Sequence, residues 1–106
     1  MYLGFIGTGE ITKAVIHGIL KSKINFKRIY ISKRNNKNSN YLKSISKKIT
    51  ILNNNQEIVN KSKFIFLAIT PEVGKKIIKR LIFKKTHTVV SFISTIKFKE
   101  LKKNIN

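Results

Sequence analysis

The chain has 106 residues, is 42% hydrophobic, and carries a formal charge of +19 from 23 lysines and arginines against 4 acids. That length suits one small domain spanning 1–106 with one modest core. Without cysteine, disulfides, thiolate catalysis and zinc–thiolate sites are excluded. No apolar stretch reaches membrane-spanning length, and the glycine-interrupted start is not a signal peptide, so no membrane partner is expected and a cytoplasmic protein is the default reading. The charge has two readings. One is nucleic-acid binding through phosphate contacts. The other is compositional, since lysine, asparagine and isoleucine dominate. The lysines (Lys13, Lys21, Lys23, Lys47, Lys61, Lys75, Lys84 and Lys99 among them) form no single stripe along the chain. The compositional reading is preferred, and no specific nucleic-acid partner is expected.

Residues 2–6 form a short apolar run that suits a strand buried on both faces. Glycines follow, and from Glu10 the period changes. Ile11, Val15, Gly18 and Ile19 fall on one side of a helix, with Gly18 read as a point of close approach to the sheet. "RIYIS" (28–32) is a second strand, and "KRNNKNSN" after it reads as a polar loop leading to a short helix over 40–47. "KITIL" (48–52) is a third strand, followed by an asparagine-capped helical turn or two. "KFIFLAI" (63–69) reads as a central parallel strand. "TPEVGKKIIKRLIF" places Pro71 at a first helical position and Glu72 in the first turn. "HTVVSFI" (87–93) is a fifth strand, and "KFKELKKNIN" begins a further helix. Five alternations of strand and helix predict an α/β, Rossmann-like doubly wound parallel sheet of about five strands, with helices on both faces.

The stretch "GFIGTGEIT" sits where the first strand meets the first helix. In a G-x-G-x-x-G/A turn the first glycine makes the bend, the second lets phosphate approach, and the third position takes a small residue. Gly7 and Gly9 fill the first two places, with Thr12 in the third. The helix start adds N–H groups and about half a positive charge, which favours a pyrophosphate. Thr8 and Ile11 belong to this turn. Glu10 would repel a bound phosphate and has to point away from it. NAD-binding versions carry an acid about 20 residues on. Here no acid lies between Glu10 and Glu57, and Ser32, Lys33, Arg34 and Asn35 stand at the end of the second strand. A hydroxyl, an ammonium, a guanidinium and an amide suit a 2′-phosphate, hence NADP rather than NAD.

With these residues in place, the chain resembles the N-terminal domain of pyrroline-5-carboxylate reductase. The resemblance runs from residue 2 to the end. It rests on "GFIGTGEITKAVIHGIL", on Ser32 and Arg34, on Asn55 before a short helix, on "AITP" (68–71), and on "SFIST" (91–95). It implies that Gly7, Thr8, Gly9, Glu10 and Ile11 hold the pyrophosphate through the backbone. It also implies Ser32 and Arg34 at the 2′-phosphate, Asn55 on the adenosine side, and Ala68, Ile69, Thr70 and Pro71 on the nicotinamide side. The implied chemistry is hydride transfer from NADPH to the C=N bond of 1-pyrroline-5-carboxylate, a small imine, giving L-proline. Glu10–Ile11, Thr70 and Thr95 depart from the family pattern. The family's helical, dimerising second domain has no counterpart in this chain, which is read as a fragment or a reduced half. Homo-oligomerisation is expected only where that second domain exists. No catalytic residue and no metal ligand is assigned. The acids Glu10, Glu57, Glu72 and Glu100 form no evident dyad, and His17 and His87 lie far apart in sequence. The alternatives are a non-catalytic NADP-binding module, an NADP-dependent reductase with a different imine or a deazaflavin-linked reaction, and a basic nucleic-acid binder.

Overall fold

Short apolar runs alternate with amphipathic ones, and each becomes a strand or a helix in turn. The structure, a computed structural model, describes residues 1–33 and 36–92. The order is β1 (Tyr2–Ile6), α1 (Glu10–Lys21), β2 (Arg28–Ser32), α2 (Asn36–Ile45), β3 (Ile49–Leu52), α3 (Asn55–Lys61), β4 (Phe64–Leu67), α4 (Pro71–Ile78) and β5 (Thr88–Ser91). The five strands form one sheet in the order β3-β2-β1-β4-β5, and every neighbouring pair is parallel. The expected α/β architecture is therefore present. Among the described residues no helix is long and apolar enough to cross a membrane.

Strand side chains alternate between the two faces, so the sheet divides the core into two layers. Leu3, Phe5, Ile29 and Ile31 pack with Ile16 and Ile19 of α1 and Leu42 of α2. Ile6, Ile65 and Leu67 pack with Ile58 and Val59 of α3 and Ile78 of α4. Phe5 is fully buried and stacks on Phe66 with ring centroids 4.5 Å apart.

Four local expectations need correction. The polar stretch after β2 is not a loop up to residue 40, because α2 already starts at Asn36. Its first turns are held by tertiary hydrogen bonds that outweigh weak helix propensity: Asn38 Nδ2 donates to the Thr8 carbonyl at 2.6 Å and Ser39 Oγ to the Ser32 carbonyl at 2.7 Å. The buried side of α1 is Thr12, Ile16 and Ile19, whereas Ile11 is half exposed. A Cβ on Gly18 would meet nothing within 4 Å, so Gly18 is not a point of close approach. That approach occurs at Gly4, where a Cβ would lie 2.7 Å from Ile58 Cγ2 and 2.9 Å from Ser62 Cβ of the α3 exit. The third, fourth and fifth strands are shorter than their apolar runs, and the helix expected in "KFKELKKNIN" lies outside the described residues.

Two outcomes follow from this packing. Gly4→Ala inserts a methyl group between β1 and α3 and should destabilise the fold by about 1–3 kcal/mol in urea denaturation. Before β5, His87 Nδ1 accepts the Lys84 N–H at 2.8 Å. Burial, and then the Lys84 charge, hold the imidazole pKa below its ordinary 6.5. A lowered folded-state pKa gives stability that is complete above the unfolded value and is lost as pH falls through the folded one. Thermal unfolding midpoints should therefore drop as pH falls below about 6.5. The drop should be shallower in His87→Asn, which keeps an acceptor but does not titrate.

Candidate functional site

The strand order reverses direction between β1 and β4. One connection leaves towards β2 and the other towards β5, so a crevice opens at the carboxyl ends of these two strands. The turn after β1 fills the base of that crevice. Gly7 has φ +101°, the left-handed region, and a Cβ there would run into the Ala68 carbonyl and lie 2.6 Å from Ile69 Cγ2. Only glycine fits.

Four elements clamp this turn. The Ala68 N–H donates to the Ile6 carbonyl at 2.9 Å. Thr12 Oγ1, fully buried on α1, donates to the Gly7 carbonyl at 2.8 Å. Ser32 Oγ, at the end of β2, accepts the Gly7 N–H at 3.4 Å. Asn38 of α2 holds the Thr8 carbonyl. In a trans peptide the N–H points opposite to the C=O before it. Fixing the Gly7 and Thr8 carbonyls inward therefore turns the Thr8 and Gly9 N–H groups the other way. Thr12, a departure from the small third residue, works here as the inward anchor of the bend.

Gly9 is the N-cap of α1, and no side chain caps this helix. Its first-turn N–H groups have no intrahelical partner and carry the positive end of the helix dipole. A Cβ on Gly9 would meet nothing within 4 Å, so the space above the helix start is open. The Glu10 side chain is 83% exposed, and its carboxylate lies 3.6 Å from Lys13 Nζ, one turn along the helix.

A central cleft of about 500 Å³ is lined by Gly7, Thr8, Gly9, Asn36, Ala68, Ile69, Thr70 and Val73. Through Gly9 and Ala68–Thr70 it continues into a second cleft of about 320 Å³, which adds Glu10, Ile11, Pro71 and Phe92. Through Asn36 it continues the other way into one of about 530 Å³ lined by Ser32, Lys33, Asn36, Asn53, Asn54 and Asn55. The result is a groove along the carboxyl edge of the sheet. It is polar and basic at one end, amide-lined in the middle, and apolar where Ile11, Ile69, Pro71 and Phe92 meet.

The structure thus brings Gly7, Thr8, Gly9, Glu10, Ile11, Ser32, Lys33, Asn55, Ala68, Ile69, Thr70 and Pro71 onto one groove. Arg34, Asn35 and Thr95 lie outside the described residues. Asn55 is the first residue of α3 rather than its cap. Asn54 is the cap, its Oδ1 accepting the Glu57 N–H at 2.8 Å. Pro71 does open α4, capped by Thr70, whose Oγ1 accepts the Val73 N–H at 3.4 Å. Sequence reasoning missed Asn36, Asn53, Asn54, Val73 and Phe92 as lining residues. Phe92 was the most findable, since it follows the fifth strand at the edge where the site had to be.

These features fit a dinucleotide: an open amide cradle at a helix start, a polar basic end and an apolar end. A family model described as NADP oxidoreductase, coenzyme F420-dependent, matches residues 2–96. The chain belongs to this family. As a member of the NADP oxidoreductase, coenzyme F420-dependent, family it is an NADP-binding oxidoreductase domain. It is 32% identical over 97 residues to pyrroline-5-carboxylate reductase 3 of Danio rerio, covering 89% of this chain and 33% of that protein. It resembles the crystal structure of 1-pyrroline-5-carboxylate reductase from Streptococcus pyogenes with TM-score 0.78 at 20% identity, covering 100% of this chain and 39% of the other. It resembles pyrroline carboxylate reductase of Plasmodium falciparum, solved with NADP bound, with TM-score 0.77 at 19% identity, covering 97% and 37%. The chain thus spans about a third of the length of the curated relative it matches. The fold and the resemblance to the N-terminal NADP-binding domain of these reductases agree with the reading of the sequence.

The two glycines of the turn should separate on substitution. Gly9→Ala leaves the fold intact, because φ is −82° and the space is open, yet its methyl group occupies the phosphate approach. NADPH affinity by calorimetry should fall about tenfold or more, at an unchanged or slightly raised unfolding midpoint. Gly7→Ala should instead lower stability itself, by roughly 1–2 kcal/mol or more.

Proposed function

We propose that this chain is the NADPH-binding domain of an imine reductase that reduces the C=N bond of 1-pyrroline-5-carboxylate to give L-proline. What supports the reading is the continuous groove centred on the Gly7–Gly9 turn, together with the similarity to a pyrroline-5-carboxylate reductase over 89% of the chain. In this reading the turn from Gly7 to Ile11 holds the pyrophosphate through the N–H groups of Thr8 to Ile11, the Gly7 N–H being held by Ser32, while Glu10 stays turned towards Lys13. Ser32, Lys33, Arg34 and Asn35 take the 2′-phosphate end, and Asn55 borders the adenosine. Ala68–Pro71 border the nicotinamide, with Ile11 and Phe92 completing an apolar wall that keeps water from one face of the ring.

When bound, the reduced cofactor supplies the hydride for the imine carbon. The nitrogen takes a proton, and no side chain of this chain is assigned to deliver it. The protein's part is position and field. The small imine substrate meets the apolar end of the groove, where Thr70 replaces a residue usual in the family. Further substrate contacts and any homo-oligomer belong, in this reading, to a second domain like that of the longer relatives. The family description also names coenzyme F420, which favours a deazaflavin hydride partner as the second reading.

Calorimetric titration at physiological salt tests the cofactor. Two charge-assisted hydrogen bonds to the 2′-phosphate contribute about 1.5–3 kcal/mol each, so NADPH should bind about a hundredfold or more tighter than NADH. Arg34→Ala should remove most of that difference, and equal affinities would discard the 2′-phosphate assignment. Loss of NADPH absorbance with 1-pyrroline-5-carboxylate, against other cyclic imines and a deazaflavin, tests the reaction. Turnover of another acceptor alone contradicts the substrate, and NADPH binding without any turnover points to a non-catalytic module.

A further inference from the structure

The lysines look scattered in the sequence, but the sheet gathers many of them on its amino edge, opposite the cofactor groove. The strand register places residues just before each strand side by side. Tyr2 pairs with Arg28, and one step before the Ile29–Ile49 pair, Arg28 lies beside Lys48. One step before Leu3–Phe64, Tyr2 lies beside Lys63, and one step before Phe64–Thr88, Lys63 lies beside His87. Backbone hydrogen bonds tie this row together: Ile29 N–H to Lys48 O, Lys63 N–H to Tyr2 O, and Thr88 N–H to Lys63 O, each at 2.9 Å. The row Lys48–Arg28–Tyr2–Lys63–His87 crosses five strands, about 19 Å at the usual spacing. Lys27 and Lys47 extend it outward, both exposed.

The helices run back against the strands, so their last turns reach this same edge. They bring Lys21 of α1, Lys43 of α2, Lys75 and Lys76 of α4, and Lys61 of α3, which pairs with Glu57. Acids are distributed the other way. Among the described residues the side-chain carboxylates are Glu10, Glu57 and Glu72, each in the first turn of a helix, and each helix starts from the opposite edge. Glu10 and Glu57 are also occupied by Lys13 and Lys61. No carboxylate stands in the row itself.

The row also carries an aromatic surface. Tyr2 is 40% exposed and stacks on Tyr30 with centroids 6.2 Å apart. Lys48 Nζ stands 5.0 Å over the Phe26 ring, and Lys63 Nζ 5.9 Å over Phe64, which holds both stems along the edge.

We propose that the amino edge of the sheet binds the phosphate backbone of a single-stranded nucleic acid without sequence preference. Cations spaced across a straight edge neutralise successive phosphates and release counterions, and an exposed ring among them gives a base a stacking platform. The edge is independent of the cofactor groove, so neither proposal depends on the other.

Fluorescence anisotropy of a labelled oligouridine, read at about 50 and 200 mM KCl, tests this. The variant Lys27→Glu/Lys47→Glu/Lys63→Glu changes the edge. Lys13→Glu/Lys33→Glu/Lys37→Glu makes the same charge change at the start of α1, the exit of β2 and the start of α2, on the opposite edge. Circular dichroism melting verifies that both remain folded. The edge variant should bind about tenfold or more weakly at low salt, with a salt slope shallower by about 2, since three phosphate contacts contribute roughly 0.7 each. The other variant should keep most of the affinity and the wild-type slope. Equal weakening in both variants would show only the net charge at work and would overturn the proposal. So would no binding by the wild type, or binding to phosphatidylserine vesicles without binding to oligouridine.

Discussion

The structure depends on one steric fact: the chain leaves β1 through a left-handed glycine pressed against the carbonyl of Ala68 on the neighbouring β4 exit. No side chain fits there, and the contact joins the two strands that flank the point where the sheet reverses its winding. Because the bend is held from β2, α1 and α2 as well, through Ser32, Thr12 and Asn38, its peptides cannot rotate independently. Buried hydrogen bonds of this kind lose more when one partner is removed than they contribute when made. The clamp therefore fixes the direction in which the neighbouring N–H groups face, and that direction is what a phosphate requires.

The parallel sheet gives its two edges different chemistry. At the carboxyl edge β1 to β4 each open into a helix start, where positive dipole ends, caps and the acids of the described residues collect. At the amino edge α1 to α4 have ended, and lysines there complement the negative dipole ends. An extreme overall charge is thereby converted into a groove with local amide donors on one side and a row holding Lys48, Arg28 and Lys63, with no carboxylate in it, on the other. The first supports the cofactor reading and the second an anionic strand, with the length of the strands between them.

Much of the fold was readable because glycine is scarce, with 5 in the chain, and three of them fall within residues 4–9. In so lysine- and asparagine-rich a background, glycine and apolar residues carry nearly all the pattern. The same background hid α2. Asn38 and Ser39 look like any other polar surface residues, and only their tertiary acceptors on Thr8 and Ser32 make them helical and buried. The face of α1 was misread by one position because Thr12 counts as polar, although its hydroxyl is spent on the Gly7 carbonyl and its methyl group faces the core. Gly18 was read as a contact and Gly4 was not, since closeness between elements is set by strand register and helix placement rather than by local spacing. The charged edge was illegible for the same reason: neighbours in its row stand 20 to 61 residues apart in the sequence and meet only through the ladder.

The most direct test of the central claim is an amide nuclear magnetic resonance titration of the isotope-labelled chain with NADPH. The account expects the largest shifts at Thr8–Thr12, with smaller ones at Lys33, Asn36 and Ile69–Val73, and little change along the Lys48–Arg28–Lys63 edge. Shifts confined to that edge, or spread evenly over the lysine-bearing helix surfaces while the Gly7–Gly9 turn stays silent, would contradict it.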